Sequence, residues 1–260
     1  MRYTTLKLEV GTDLAQITLN RPERRNAISP QMIEELLDAL NAIEAAPVRV
    51  AILTGEGTAF CSGMDLEALR QMATQSPEQN LEDSRRMARL FQRLWSFPKP
   101  LIAAVNGAAI AGGCGIATLC DFTLAVPEAK FGYTEVRIGF IPALVSVFLE
   151  RQVEEKVARD LLLTGRLIEA SEARALGLVT RVVPTEQLAA SARELAANLI
   201  ANSPMALVAT KRLLTRGADA EVSRRIELAI AENAAMRQTA DFREGLSSFL
   251  EKRKPQWPGR

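Results

Sequence analysis

Apolar positions in the first half of the chain fall into short runs broken by glycine, proline or charged pairs, and between the runs they shift to helical spacing. Leu6–Val10 and Ala15–Leu19 flank Gly11-Thr12-Asp13 and predict a hairpin. Ser29-Pro30 supplies an N-cap with proline at the first helical position. Met32, Ile33, Leu36, Leu37, Leu40 and Ile43 then hold the helical period over 30–45. Val48–Leu53 and Leu101–Val105 read as buried strands. Each runs into a glycine-punctuated segment that leads to a helix, near Asp65 in the first case and after Gly112 in the second. A helix over 79–97 separates the two passages, and Asp121–Val126 and Lys130–Gly132 follow as strands. Beyond Pro142 the pattern predicts helices at about 143–164, 170–176, 185–201, 204–214 and 219–250, with one short strand at Leu178–Val183. The β-α-β order with a helical ending predicts an α/β fold.

Composition narrows what such a fold could do. The 260 residues are 48% hydrophobic, enough for one large core. Lys and Arg number 32 against 31 Asp and Glu, evenly spread, so neither nucleic acid nor a membrane surface is an expected partner. No apolar run approaches the roughly 20 residues that span a bilayer. The opening Met1-Arg2-Tyr3-Thr4 lacks a signal-peptide core, so a cytoplasmic protein is expected. Cys61, Cys114 and Cys120 show no CxxC spacing and sit among small or apolar residues, which predicts buried free thiols. Histidine is absent altogether. That excludes a Ser-His-Asp or Cys-His nucleophile and histidine-based metal sites, and leaves acid–base work to a carboxylate, Lys, Tyr or Cys. No metal is expected.

The segment Lys99–Asp121 concentrates the remaining signal. A buried strand, the break at Asn106-Gly107, and Gly112-Gly113 with Gly115 at a helix start would bring backbone N–H groups to one point. Such a point can hold phosphate or an oxyanion on a thioester carbonyl; it can also be no more than a tight turn.

Several spaced motifs decide between these. They are Leu19-Asn20-Arg21-Pro22 with Asn26-Ala27-Ile28, and Gly55-x-Gly57-x-x-Phe60-x-x-Gly63-x-Asp65-Leu66. Lys99-Pro100 through Asn106-Gly107 to Gly112-Gly113-Cys114 follows, then Phe131-Gly132-x-x-Glu135 and Gly139-x-x-Pro142. The ending Phe249-Leu250-Glu251-Lys252-Arg253-Lys254-Pro255 completes the set. In this order the chain resembles the enoyl-CoA hydratase/isomerase (crotonase) superfamily along essentially its whole length. The resemblance implies an α/β crotonase spiral of repeated ββα units, with the core over 1–195 and a helical trimerisation region over 196–260. It implies a homo-oligomer, a trimer or dimer of trimers, acting on an acyl-CoA thioester with no cofactor beyond the coenzyme A of the substrate. By motif position the backbone N–H groups of Met64 and Gly112 would hold the thioester oxygen, and Glu135 would be the acid/base. Arg25, Met64, Asp65, Leu66, Glu67, Gly112 and Lys252 would bind the CoA thioester.

One position departs from the family pattern. Hydratases of this family carry a second glutamate three residues after the oxyanion glycine, and here that residue is Gly115. The resemblance therefore implies hydration across the 2,3-double bond of an enoyl-CoA, with two alternatives left open. One is a Δ3,Δ2-enoyl-CoA isomerase using Glu135 alone; the other is a thioester-binding member with little catalysis. Tyr133, Asp65 and Glu67 are the nearby groups that could replace the missing acid. Phe140, Ile141, Leu144 and Val145 read more readily as core than as an acyl pocket.

Overall fold

The computed structural model describes residues 3–216 and 219–259. Leu6–Val10 (β1) and Leu14–Leu19 (β2) form the hairpin, antiparallel, with Leu6 opposite Leu19. Val50–Gly55 (β3), Leu101–Val105 (β5), Phe122–Ala125 (β7) and Arg181–Val182 (β10) extend it in parallel, in the order β1-β2-β3-β5-β7-β10. Parallel strands are covered on both faces and so read as continuous apolar runs, as in Leu101–Val105, where all five residues are buried. A second sheet stands beside it. Ala59–Cys61 (β4), Ala108–Ile110 (β6) and Lys130–Gly132 (β8) run parallel, and Ile168–Glu169 (β9) closes the edge antiparallel to β8.

Two of these short strands lie inside segments that the sequence pattern presents only as glycine-rich loops. Three-residue strands are too brief to show a period. Their pairing comes from neighbours instead: Asn106 donates from Nδ2 to the Gly57 carbonyl and accepts the Gly55 N–H, tying the end of β5 to the end of β3.

The helices are Pro30–Ala45 (α1), Leu66–Met72 (α2), Pro77–Trp95 (α3), Gly112–Thr118 (α4) and Ala143–Leu149 (α5). Glu155–Thr164 (α6), Ala170–Ala175 (α7), Leu188–Ile200 (α8), Pro204–Arg216 (α9), Asp219–Met236 (α10) and Ala240–Leu250 (α11) complete them. The first has the expected bounds and cap, with Ser29 Oγ accepting the Met32 N–H at 3.2 Å. Two spans expected as single helices are each two. The 143–164 span breaks after Leu149, and the 219–250 span breaks at the Gln238-Thr239 turn, where Thr239 caps α11 by accepting the Phe242 N–H. Apolar periodicity continued across both breaks, so it could not mark them. The strand expected over 178–183 is only two residues long. All three cysteines are free and buried.

Packing puts the C-terminal helices on the core of the same chain. Helix α8 lies on β3, β5 and β7, α10 lies on α3 and α5, and α11 lies on the 3-10 turn Glu135–Ile138. Gly245 lets α11 come down on that turn: a Cβ there would overlap the Ile138 carbonyl and crowd the Gly139 nitrogen. Phe242 and Leu246 seal the contact against Leu69 and Met72 of α2. No helix among the described residues is long and apolar enough to cross a membrane.

Candidate active site

The three parallel strands of the small sheet end side by side. Cys61 pairs with Ala109 and Ile110 with Gly132, so Ser62–Met64, Ala111–Gly112 and Tyr133–Glu135 leave the sheet at one edge. Backbone hydrogen bonds fix the first two exits. Ile28 grips the first, donating to the Gly63 carbonyl at 2.7 Å and accepting the Asp65 N–H at 2.9 Å. This leaves the Met64 N–H between them without an acceptor among the described residues. Gly63 has φ +90°, a conformation that suits glycine alone.

In the second exit, Ala111 holds φ +52° and donates to the Gly132 carbonyl at 2.7 Å. A non-glycine residue at positive φ is costly and persists only where its surroundings impose it. Gly112 begins α4 on this bend, and its N–H, in the first helical turn, has no intrahelical acceptor. Met64, Gly112 and Glu135 line one cavity of about 170 Å³.

Glu135 opens the 3-10 turn that follows β8. Its Oε2 is buried and has no hydrogen-bond partner among the described residues, and Arg137, exposed two residues on, forms no ion pair with it. Burial pushes its carboxyl up from 4.5 to about 7, against the smaller opposing pull of its own backbone N–H. A carboxyl that changes charge near neutrality can both take and return a proton.

Among the described residues, the cavity lining carries no second carboxylate. A Cβ on Gly115 would lie 2.7 Å from Val145 Cγ1 and 3.2 Å from Phe91 Cζ, so apolar side chains fill the space a longer residue would need. Nor do the expected substitutes serve. The Tyr133 hydroxyl is buried, lies 3.2 Å from Thr118 Oγ1, and is outside the cavity lining. Asp65 caps α2 by accepting the Glu67 N–H at 2.9 Å and pairs with Arg21 at 2.8 Å. Burial opposes its ionisation, but the Glu67 N–H and the Arg21 guanidinium outweigh that and hold it below the usual carboxylate range. Glu67 is exposed and faces Arg70.

The remaining expected residues are placed as follows. Leu66 lines the cavity. Arg25 is exposed, with φ +50°, and its carbonyl accepts the Ser62 N–H, which sets it beside the Met64 loop. Lys252 is exposed just past α11. Phe140, Ile141, Leu144 and Val145, read from sequence as core, all line the cavity. So do Met87 and Phe91 of α3, Asn233 of α10 and Arg237, which the sequence reading passed over. Only a helix crossing brings these to the site, and no local spacing encodes that.

Comparison with known proteins identifies the family. The family model described as Enoyl-CoA hydratase/isomerase matches residues 9–260. The chain is 48% identical over 245 residues to a Thermus thermophilus relative that bears an enoyl-CoA hydratase name, covering 94% of this chain and 97% of that one. It is 33% identical over 257 residues to the crotonyl-CoA hydratase of Syntrophomonas wolfei, covering 98% of each. It is also 33% identical over 261 residues to an enoyl-CoA isomerase/hydratase of Mycosarcoma maydis, covering 96% of this chain and 94% of that one. A solved enoyl-CoA hydratase/isomerase from Xanthobacter autotrophicus superposes with a TM-score of 0.89 at 33% identity, covering 96% and 97% of the two chains. The protein belongs to the enoyl-CoA hydratase/isomerase family and has the crotonase fold.

Proposed function

We propose that the protein is an enoyl-CoA hydratase, adding water reversibly across the 2,3-double bond of an enoyl-CoA thioester. The observation that carries this reading is one cavity shared by Glu135, whose buried Oε2 has no partner among the described residues, and by Met64 and Gly112, whose backbone N–H groups have none among them either. The two N–H groups receive the thioester oxygen and stabilise the negative charge that gathers on it as the enolate forms. Ionised Glu135 takes a proton from water while the water oxygen bonds to C3, and a proton then passes from Glu135 to C2. The carboxylate is regenerated, so one such group closes the cycle. The crotonyl-CoA hydratase name of a full-length relative supports the same choice of reaction.

The substrate's coenzyme A is the only cofactor in this reading. Leu66 and Met64 flank the pantetheine, and the exposed cations Arg25 and Lys252 take phosphates. Asp65 and Glu67 act through the start of α2, where Asp65 steadies the Met64 loop through Arg21. The chain works as a cytoplasmic homo-oligomer, a trimer or dimer of trimers, with residues 196–260 as the helical assembly region on a 1–195 core. The cavity draws on both parts, since Asn233, Arg237 and Phe249 line it.

Gly115 is the one observation behind a second reading, which the names of the relatives do not favour: isomerisation of a 3-enoyl-CoA, in which Glu135 would move a proton from C2 to C4 over the same oxyanion site. Purified protein given crotonyl-CoA and, separately, a 3-enoyl-CoA separates the two. Loss of the conjugated thioester absorbance from crotonyl-CoA is expected; appearance of that absorbance from the 3-enoyl-CoA without hydration would replace the first reading by the second. The pH profile is a further check. Glu135 must be ionised to accept a proton, so kcat/KM is expected to fall as pH drops through about 7 and to level off above it. A profile flat from pH 5 to 8, a window set by about one unit or more on either side of that value, would remove Glu135 from the role.

A further inference from the structure

Arg237 is only 3% exposed and follows α10 by one residue. Its guanidinium is held on several sides. Nη1 donates to Asp83 Oδ2 at 2.8 Å and to Asn80 Oδ1 at 3.3 Å, Nη2 donates to Asn233 Oδ1 at 3.0 Å, and the group lies 5.7 Å from the Phe140 ring centroid. Arginine can only donate, so the Asn233 atom that meets Nη2 is its oxygen, which also accepts from Ser84 Oγ at 2.8 Å. The Asn233 amide nitrogen donates to none of the described residues, and Arg237 Nε is buried with no partner among them. Both residues line the cavity that holds Glu135, among the apolar side chains of Met72, Met87 and Phe140.

The network fixes both side chains and leaves Arg237 Nε buried without an acceptor, which is costly unless one approaches, while the Asn233 amide, at the cavity, has no protein acceptor among the described residues. An alkyl chain cannot accept from either. The Arg237 charge is balanced by Asp83, and Arg86 lies 3.7 Å from the same carboxylate, so the cluster presents donors without repelling an anion. We propose that Asn233 and Arg237 form a distal subsite that selects acyl groups carrying a hydrogen-bond-accepting oxygen, carboxylate or carbonyl, at the end remote from the thioester. This rests on reading the cavity as an acyl-CoA site.

Calorimetric titration with saturated CoA thioesters of roughly four to eight carbons tests it, since saturated chains bind without turning over. Each length is offered as the plain alkyl, the terminal carboxylate and the keto form. At the best length, an oxygen-bearing chain is expected to bind at least about tenfold more tightly than the alkyl chain. The carboxylate-to-keto ratio shows which source of oxygen the subsite prefers. Asn233→Asp keeps an oxygen for Ser84 and Arg237 but lacks the amide donors, so it is expected to collapse that preference, most steeply for the carboxylate. A merely structural Asn233 would leave the ratio unchanged. Equal or tighter binding of alkyl chains at every length, or a preference untouched by Asn233→Asp, overturns the proposal. Turnover of crotonyl-CoA without distal preference refutes the subsite alone; failure to bind any thioester refutes the acyl-CoA reading with it.

Discussion

Replacing Glu135 by glutamine is expected to lower kcat for crotonyl-CoA hydration by about 10²–10⁴-fold, the range that a positioned acid/base contributes. The same change is expected to stabilise the fold. In the unfolded chain a glutamate titrates at its ordinary value of 4.5, whereas burial holds Glu135 at about 7. Between those values the folded state binds more protons than the unfolded state, so stability falls as pH rises through that window and stays lower above it. Below it the carboxyl is protonated in both states and the penalty vanishes. The full penalty is about 3 kcal/mol. The glutamine side chain of the variant cannot ionise, so urea unfolding at pH 8 is expected to find Glu135→Gln more stable by up to that amount, with the difference closing toward pH 4.5. Lower activity with unchanged stability at pH 8 would mean that the carboxyl is solvated or paired, and that its use as a base near neutrality has another origin.

Elements with long periods were legible in the sequence: the Ser29 cap and the 30–45 helix, the hairpin, and the all-buried Leu101–Val105 strand. Short strands β4 and β6 were hidden because three residues carry no period, yet their ends place Met64 and Gly112. The site therefore became visible through spaced motifs rather than periodicity. Glu135 could be picked out by its place in such a motif, but its burial and lack of a partner could not. The apolar filling of the space at Gly115 depends on Phe91 and Val145, 24 and 30 residues away in opposite directions. Asn233 and Arg237 are more distant still, and join the cavity because α10 crosses α3. A lone arginine at a helix end gives no hint that it is 3% exposed and held by Asp83.

The proposed oxyanion site allows a sharper test than truncating a side chain, because both of its proposed donors are backbone groups. Gly112→Pro removes one N–H at a position where proline suits helical geometry: it is the first residue of α4, and its N–H bonds to nothing else among the described residues. The loss of that donor is expected to lower kcat by about 10²–10³-fold, equivalent to about 2.7–4 kcal/mol of transition-state stabilisation. Gly112→Ala is the control. It keeps the N–H, and its Cβ would meet Ile28 Cδ1 at 3.2 Å, the tip of a side chain that can shift by a few tenths of an ångström. Circular dichroism and thermal unfolding of both variants show whether the bend at Ala111 survives the ring. If the alanine variant retains most of the activity and the folded proline variant loses it, the N–H is the working part. Equal activity in the two variants would leave Met64 alone to carry the developing charge, and Gly112 would then be there for the close packing of α4 against Ile28.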